Sequence, residues 1–360
     1  MHRSWVPTLV TRVDDTLRRS SGRFPMCADP ISGEWTWSDD GGWFGGFWGG
    51  LLRLTAVATG DTGYLRAAEL VTARLRPRTA ARTALRGFLF WYGAALASPL
   101  GQPSEAAASI AVEAARSLSE DVDSAARLLP PGTDDVELYG WPRPGACIDA
   151  LPGAVPLLAF ASQRTGDPAL RDLALAHARG HLRMCVRGDG SVAQSATFDS
   201  TGELTGQNSI NGSSRDSTWS RAQAWAMLGL AQAASLSDEF VEPAARVAGW
   251  YLDHVPPDLV CYWDFDDPAV PAAPKDTSAT AIAAAALVKL HALTGQKRYR
   301  TAAENTVEAL SDRLTHHGGL GDGCYQYRKG RAIRNELIWG DYFLLEASLA
   351  VAGKIDPSFL

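Results

Sequence analysis

Apolar residues recur along this chain in two alternating patterns. Six segments are apolar almost all round: residues 43–58, 87–97, 149–162, 221–234, 278–293 and 336–351. Apolarity on every side predicts helices buried on every side. Beside them run six stretches with apolar residues on one face and charged residues on the other: residues 5–20, 63–75, 104–118, 168–182, 239–252 and 297–310. Their spacing predicts amphipathic helices that cover the first set from outside. The joining turns Thr59-Gly60-Asp61, Thr165-Gly166-Asp167 and Thr294-Gly295-Gln296 share one form, with Pro99-Leu100-Gly101 and Leu236-Ser237-Asp238 as looser versions. Gly suits the end of one helix and Asp the cap of the next. Strand signals are poor throughout.

Six hairpins in 360 residues give a repeat of roughly sixty residues. An open solenoid needs polar caps at its ends. The terminal units here are as apolar as the middle ones, which predicts closure: an all-α fold, an (α/α)6 barrel of six inner and six outer helices, as one domain over residues 1–360. The longer connections, residues 21–42, 77–86, 120–148, 186–218, 255–275 and 315–336, each precede an inner helix. They are expected to gather on one face, where function usually lies.

Composition narrows the function. The net charge is −6, with no basic stripe, which argues against a nucleic-acid partner. Cys27, Cys147, Cys185, Cys261 and Cys324 are odd in number and form no CxxC, as expected of free thiols in a reducing compartment. The first twenty residues lack the apolar core of a signal peptide, and no run is judged long enough to span a membrane. A soluble, cytoplasmic protein with no membrane partner is the expectation; oligomeric state is left open.

The candidate chemistry lies on the predicted loop face. Trp35, Trp37, Trp43, Trp48, Trp91, Trp141, Trp219, Trp225, Trp263 and Trp339 sit on those loops or early in inner helices. Aromatic walls with a few acids suit carbohydrates, whose C–H faces stack on rings. In DSTWSRAQAW (216–225), Trp219 is expected in the entering turn, with Arg221 and Trp225 one turn apart on the helix. The acids at inner-helix starts are Asp39, Asp40, Asp149, Asp216, Asp276 and Asp341. Asp149, amid apolar residues, should have a raised pKa suited to a general acid, or else caps the third inner helix. Asp216 and Asp276 read as caps, and Asp341 as a tie to neighbouring helices. His177 and His181 are four apart on an outer helix without HExxH. Neither a metal site nor any cofactor is expected.

Several blocks together resemble the unsaturated glucuronyl hydrolases of glycoside hydrolase family 88 and the related unsaturated rhamnogalacturonyl hydrolases. They are WFGGFWGG (43–50), IDALPGAVPLLAFA (148–161), RGDGSV (187–192), DSTWSRAQAW (216–225), YWDFDDP (262–268), KDTSATAIAA (275–284) and LIWGDYFLLEA (337–347). The resemblance spans roughly residues 35–350 and implies the same barrel. It implies that Asp149, opening the third inner helix, protonates C4 of a C4=C5 enol ether while water adds at C5, with no metal. It further implies Trp43, Trp219 and Trp225 as aromatic walls and Arg221 as a pocket arginine; Gln194, Asn211 and Trp339 complete the candidate substrate-binding set.

The chain also departs from that family. Leu85 stands where an Asp belongs, Gln194 where a His belongs, Asn211 where a Gln belongs, and Ala222 where a Gly belongs. Such losses imply an altered substrate, such as a small unsaturated glycosylated metabolite, an altered acid-catalysed reaction, or a barrel that only binds. Arg86, Arg143 and Arg215 are candidates to replace the missing polar contacts.

Overall fold

The computed structural model describes residues 5–359; Leu360 and residues 1–4, His2 among them, lie outside the described residues. Six inner helices follow the all-round apolar segments: α2 (Gly45–Thr59), α4 (Arg86–Gly93), α7 (Ala154–Thr165), α9 (Ser220–Ala234), α11 (Thr277–Thr294) and α13 (Ile338–Val351). Each packs on the next in that order, and α13 packs back on α2, closing the ring. Six outer helices follow the one-sided segments: α1 (Val6–Ser20), α3 (Gly63–Leu75), α5 (Glu105–Ser119), α8 (Pro168–Cys185), α10 (Val241–His254) and α12 (Lys297–Ser311). Together they form the (α/α)6 barrel.

Burial follows the two patterns. Every residue of α9 is buried, whereas α3 buries only Tyr64, Ala68, Val71, Thr72 and Leu75. They recur at steps of three and four, with Val71 and Thr72 side by side, so they share the inward face of their helix. The turns behave as their residues require. Gly60, Gly166 and Gly295 each end an inner helix in the left-handed conformation. α11 corrects one expectation, because its 18 residues are long and apolar enough to cross a membrane. Most of that stretch is buried inside the barrel, where an inner helix is apolar for packing.

The strands are a second correction. Two three-stranded antiparallel sheets lie in the long connections. One runs in the order β2 (Trp35–Ser38), β1 (Phe24–Ala28), β6 (Glu336–Leu337); the other in the order β3 (Gly145–Cys147), β4 (Ser195–Phe198), β5 (Leu204–Asn208). At two to five residues they are too short to show alternation, and β3 is buried on both faces. They join loops distant in sequence. β6, before α13, pairs with β1, before α2, in register Ala28↔Glu336. β3, before α7, pairs with β4, before α9, in register Cys147↔Ser195. One further α-helix, α6 (Thr133–Tyr139), belongs to neither ring and lies in the connection before α7.

Candidate active site

The loops converge on a cleft of about 380 Å³, counting the solvent at its mouth. Trp43, Leu85, Phe88, Tyr139, Trp141, Asp149, Asn211, Trp219, Arg221, Trp225, Tyr325 and Gln326 line it. Its aromatic wall is continuous. Trp43 lies 5.7 Å from Phe88 between ring centroids, and Phe88 lies 4.7 Å from Trp225. Asp149 is the sole carboxyl among these lining residues.

Asp149 does not open α7. It sits in a single 3-10 turn, Ile148–Ala150, between β3 and the helix, which starts at Ala154 after Gly153. It therefore caps nothing, and its carboxyl is left to the cleft. The side chain is 8% exposed. Gln194 Nε2 donates to its Oδ2 at 3.2 Å, while Oδ1 has no partner. Burial pushes its pKa up to about 7, against the opposing pull of Arg221 and the Gln194 hydrogen bond. Removal from water disfavours the charged form, and here that effect prevails.

Gln194 and Trp339 were expected to touch substrate, and the structure corrects both. Gln194 is fully buried behind Asp149, and its Oε1 accepts from the Asn211 backbone N–H at 2.8 Å. It acts on the cleft only through Asp149 and Asn211. Trp339, also fully buried, supports Trp43 from below at a 4.7 Å centroid distance. The motifs that name these residues carry order along the chain but not depth in the wall.

Arg221 reaches the cleft wall with both terminal nitrogens engaged. Nη1 meets Asp276 Oδ2 at 2.8 Å and the Cys324 carbonyl at 2.8 Å, and Nη2 meets the Tyr325 carbonyl at 2.5 Å. Its guanidinium stacks 4.5 Å over Trp219, which occupies the entering turn as expected. Asp276 both caps α11 and neutralises Arg221, so the cleft carries no unpaired cation among the described lining residues. Asp341 accepts from the Leu320 N–H at 2.7 Å, tying α13 to the preceding loop. Asp216 is exposed and caps no helix; its carbonyl instead accepts from Arg187 at 3.0 Å.

Other motif residues act as struts. Asp264 accepts from Ser213 N–H at 2.9 Å and Ser217 Oγ at 2.8 Å, and Asp266 accepts from Thr218 N–H at 2.7 Å. They hold the segment between Asn211 and Trp219. Asp135 on α6 accepts from Thr83 Oγ1 at 2.6 Å and Ala84 N–H at 2.8 Å, which fixes Leu85 in the wall. Arg86 is bound to Asp121 and Ser117, and neither it nor Arg143 nor Arg215 lines the cleft. The tryptophans are more scattered than expected. Trp91 borders a separate cavity with Lys289 and Gln232, and Trp35 donates to Thr16 of α1 at 3.0 Å. Tyr139, Tyr325 and Gln326 were missed; they lie in the long connections, but no motif marks them.

A closed double ring of helices with one protonatable carboxyl in a tryptophan-walled cleft defines a carbohydrate-acting hydrolase. The chain belongs to Glycosyl Hydrolase Family 88, whose family model matches residues 138–346. It is similar to the unsaturated glucuronyl hydrolase of Bacillus sp. (strain GL1), with 33% identity over 92% of each chain. It is also similar to that of Formosa agariphila, with 27% identity over 85% of this chain and 78% of the relative. The crystal structure of the Bacillus sp. GL1 unsaturated glucuronyl hydrolase, an enzyme responsible for the degradation of glycosaminoglycan, superposes with a TM-score of 0.89 at 31% identity. The match covers 97% of this chain and 96% of that one.

Proposed function

We propose that the cleft hydrates the C4=C5 enol ether of an unsaturated uronic-type sugar, with Asp149 as general acid and then base. One observation carries this reading: Asp149 is the single carboxyl of the cleft lining, and its Oδ1 is unpartnered. Ordinary glycoside hydrolysis works through two carboxyls across the bond. Hydration of an enol ether needs only one. The Asp149 proton passes to C4 as the double-bond pair forms the C4–H bond, and C5 becomes an oxocarbenium carbon. Water bonds to C5 and returns a proton to Asp149. The hemiketal then opens and releases the aglycone, for a net gain of one water.

A pKa of about 7 keeps a substantial share of Asp149 protonated near neutral pH, as a general acid requires. The ring faces of Trp43, Trp219 and Trp225 supply stacking surfaces for the sugar. Leu85 and Phe88 offer no hydrogen bond, which supports a substrate whose facing ring edge is deoxygenated or substituted. The five free, buried cysteines support a reducing compartment.

The test follows enol-ether ultraviolet absorbance with a panel of unsaturated uronyl and rhamnogalacturonyl disaccharides. Wild type should bleach the signal and add one water by mass; Asp149→Asn should lose at least about 100-fold in kcat. Equal rates in the two proteins would refute the assignment. Because the acid form is required, kcat/KM should fall as pH rises through about 7.

A further inference from the structure

Outer helix α8 turns a polar stripe inward. His177, His181 and Cys185 lie at successive steps of four, hence on one face, and all three are fully buried. Outer helix α5, by contrast, fills that face with Ala107, Ile110, Ala111, Ala114 and Leu118. Two buried imidazoles cost more desolvation than an apolar stripe unless their ring nitrogens are used.

They are used on the backbone around Asp149. His177 Nδ1 accepts from the Leu129 N–H at 3.1 Å, so its hydrogen lies on Nε2, which stands 3.3 Å from the Ala150 carbonyl. His181 Nε2 stands 3.0 Å from the Cys147 carbonyl. Its Nδ1 faces the His177 carbonyl at 3.0 Å, so a neutral ring shares one hydrogen between two acceptors. The carbonyls of Cys147 and Ala150 bracket Ile148 and Asp149, whose turn lies outside the helical ladder. On the opposite side, the Ile148 N–H donates to the Gln194 carbonyl at 2.8 Å. The turn is thus gripped by α8 on one side and by Gln194, just before β4, on the other.

We infer that His177 and His181 are positioning residues, which hold the two carbonyls either side of Asp149 and thereby fix its carboxyl in the buried wall. They touch no substrate, since neither lines the cleft. Burial lowers both ring pKa values, that of His181 to about 4, so both are neutral near pH 7. The charged or titratable groups facing Asp149 are Arg221 on α9, Cys147 on β3 and Cys185 on α8, with Tyr139 and Tyr325 among the other lining residues. Burial pushes both thiols and both phenols up, which leaves Arg221 as the charged one.

This inference rests on Asp149 as the acid, so the test includes a readout independent of turnover. The variants are His181→Leu, His181→Gln and His177→Asn. Gln can keep a donor near the Cys147 carbonyl. Asn can keep the acceptor for Leu129 while releasing Ala150. The measurements are kcat, KM and the 13C NMR titration of the Asp149 carboxyl, assigned with Asp149→Asn. His181→Leu and His177→Asn should lower kcat by about 10- to 100-fold with little change in KM. Their carboxyl midpoint should move from about 7 towards the ordinary range as the turn loosens into water. His181→Gln should stay near wild type. Folded His181→Leu or His177→Asn with unmoved titration would overturn the inference. If no substrate is turned over even by wild type, the hydration reading fails, while the titration still decides the positioning role.

Discussion

Asp149 owes its raised pKa to burial rather than to a second carboxylate, which separates it from the paired acids of most glycosidases. The folded state holds this proton to higher pH than the unfolded state does. Its contribution to stability is therefore present below about 4 and is lost as pH rises to about 7. Asp149→Asn carries no such loss, so at pH 8 it should melt above wild type by at least about 2 °C while lacking turnover. Equal melting curves at pH 8 would contradict the burial. Leu85 gives a second expectation. Leu85→Asp would place a carboxylate in the apolar wall, where a charge-assisted hydrogen bond to a sugar hydroxyl is worth about 1.5–3 kcal/mol. The kcat/KM for hydroxyl-bearing uronyl disaccharides should rise about 10- to 100-fold; no rise would mean that Leu85 does not set the ring edge. At this scale the sequence made Asp149, Trp43, Asn211, Trp219 and Trp225 legible as cleft residues. Gln194 and Trp339 were placed one layer too far forward, because spacing along a motif does not report depth. Tyr325 and Gln326 gave no signal beyond membership of a long loop.

The inner and outer helices were legible because burial on all sides and burial on one side leave different periods in the chain. The start of α7 was not. Residues 149–153 carry the apolar composition of the helix, yet Gly153 adopts φ +82° and delays it to Ala154. A close crossing explains the delay. A Cβ on Gly87 would meet the Ala154 nitrogen at 2.3 Å, and one on Gly153 would meet the Gly87 carbonyl carbon at 2.7 Å. The first turn of α4 thus presses on the entry to α7, with backbone against backbone. Gly87→Ala should destabilise the protein by about 1–3 kcal/mol and lower activity through the displaced turn of Asp149. Chemical denaturation and kcat on the same sample would check this; a variant with unchanged midpoint would refute the crossing. The short strands were illegible because pairing between distant loops, not local alternation, defines them.

Closure was the one global property written in the sequence, through terminal units as apolar as the central ones. The clamp that accompanies it was not. Arg12 on α1 binds Glu336 in two places, at 2.9 Å and 2.8 Å, with both side chains nearly fully buried. Nothing local links residues 324 positions apart. Arg12→Ala would leave Glu336 beside buried Asp341 with no cation, and should cost about 3–5 kcal/mol, read as a lowered denaturation midpoint. A change below about 1 kcal/mol would show the pair to be dispensable. A ring whose last helix neighbours its first inner helix also sets a schedule for biosynthesis. α2 leaves the ribosome early, but the flank that α13 covers stays bare until residues 338–351 have been made. Nearly three hundred residues must emerge first. The apolar side of α2 is therefore a surface left open to chaperones through most of synthesis, and a message truncated before α13 yields a chain whose ring has no closing member.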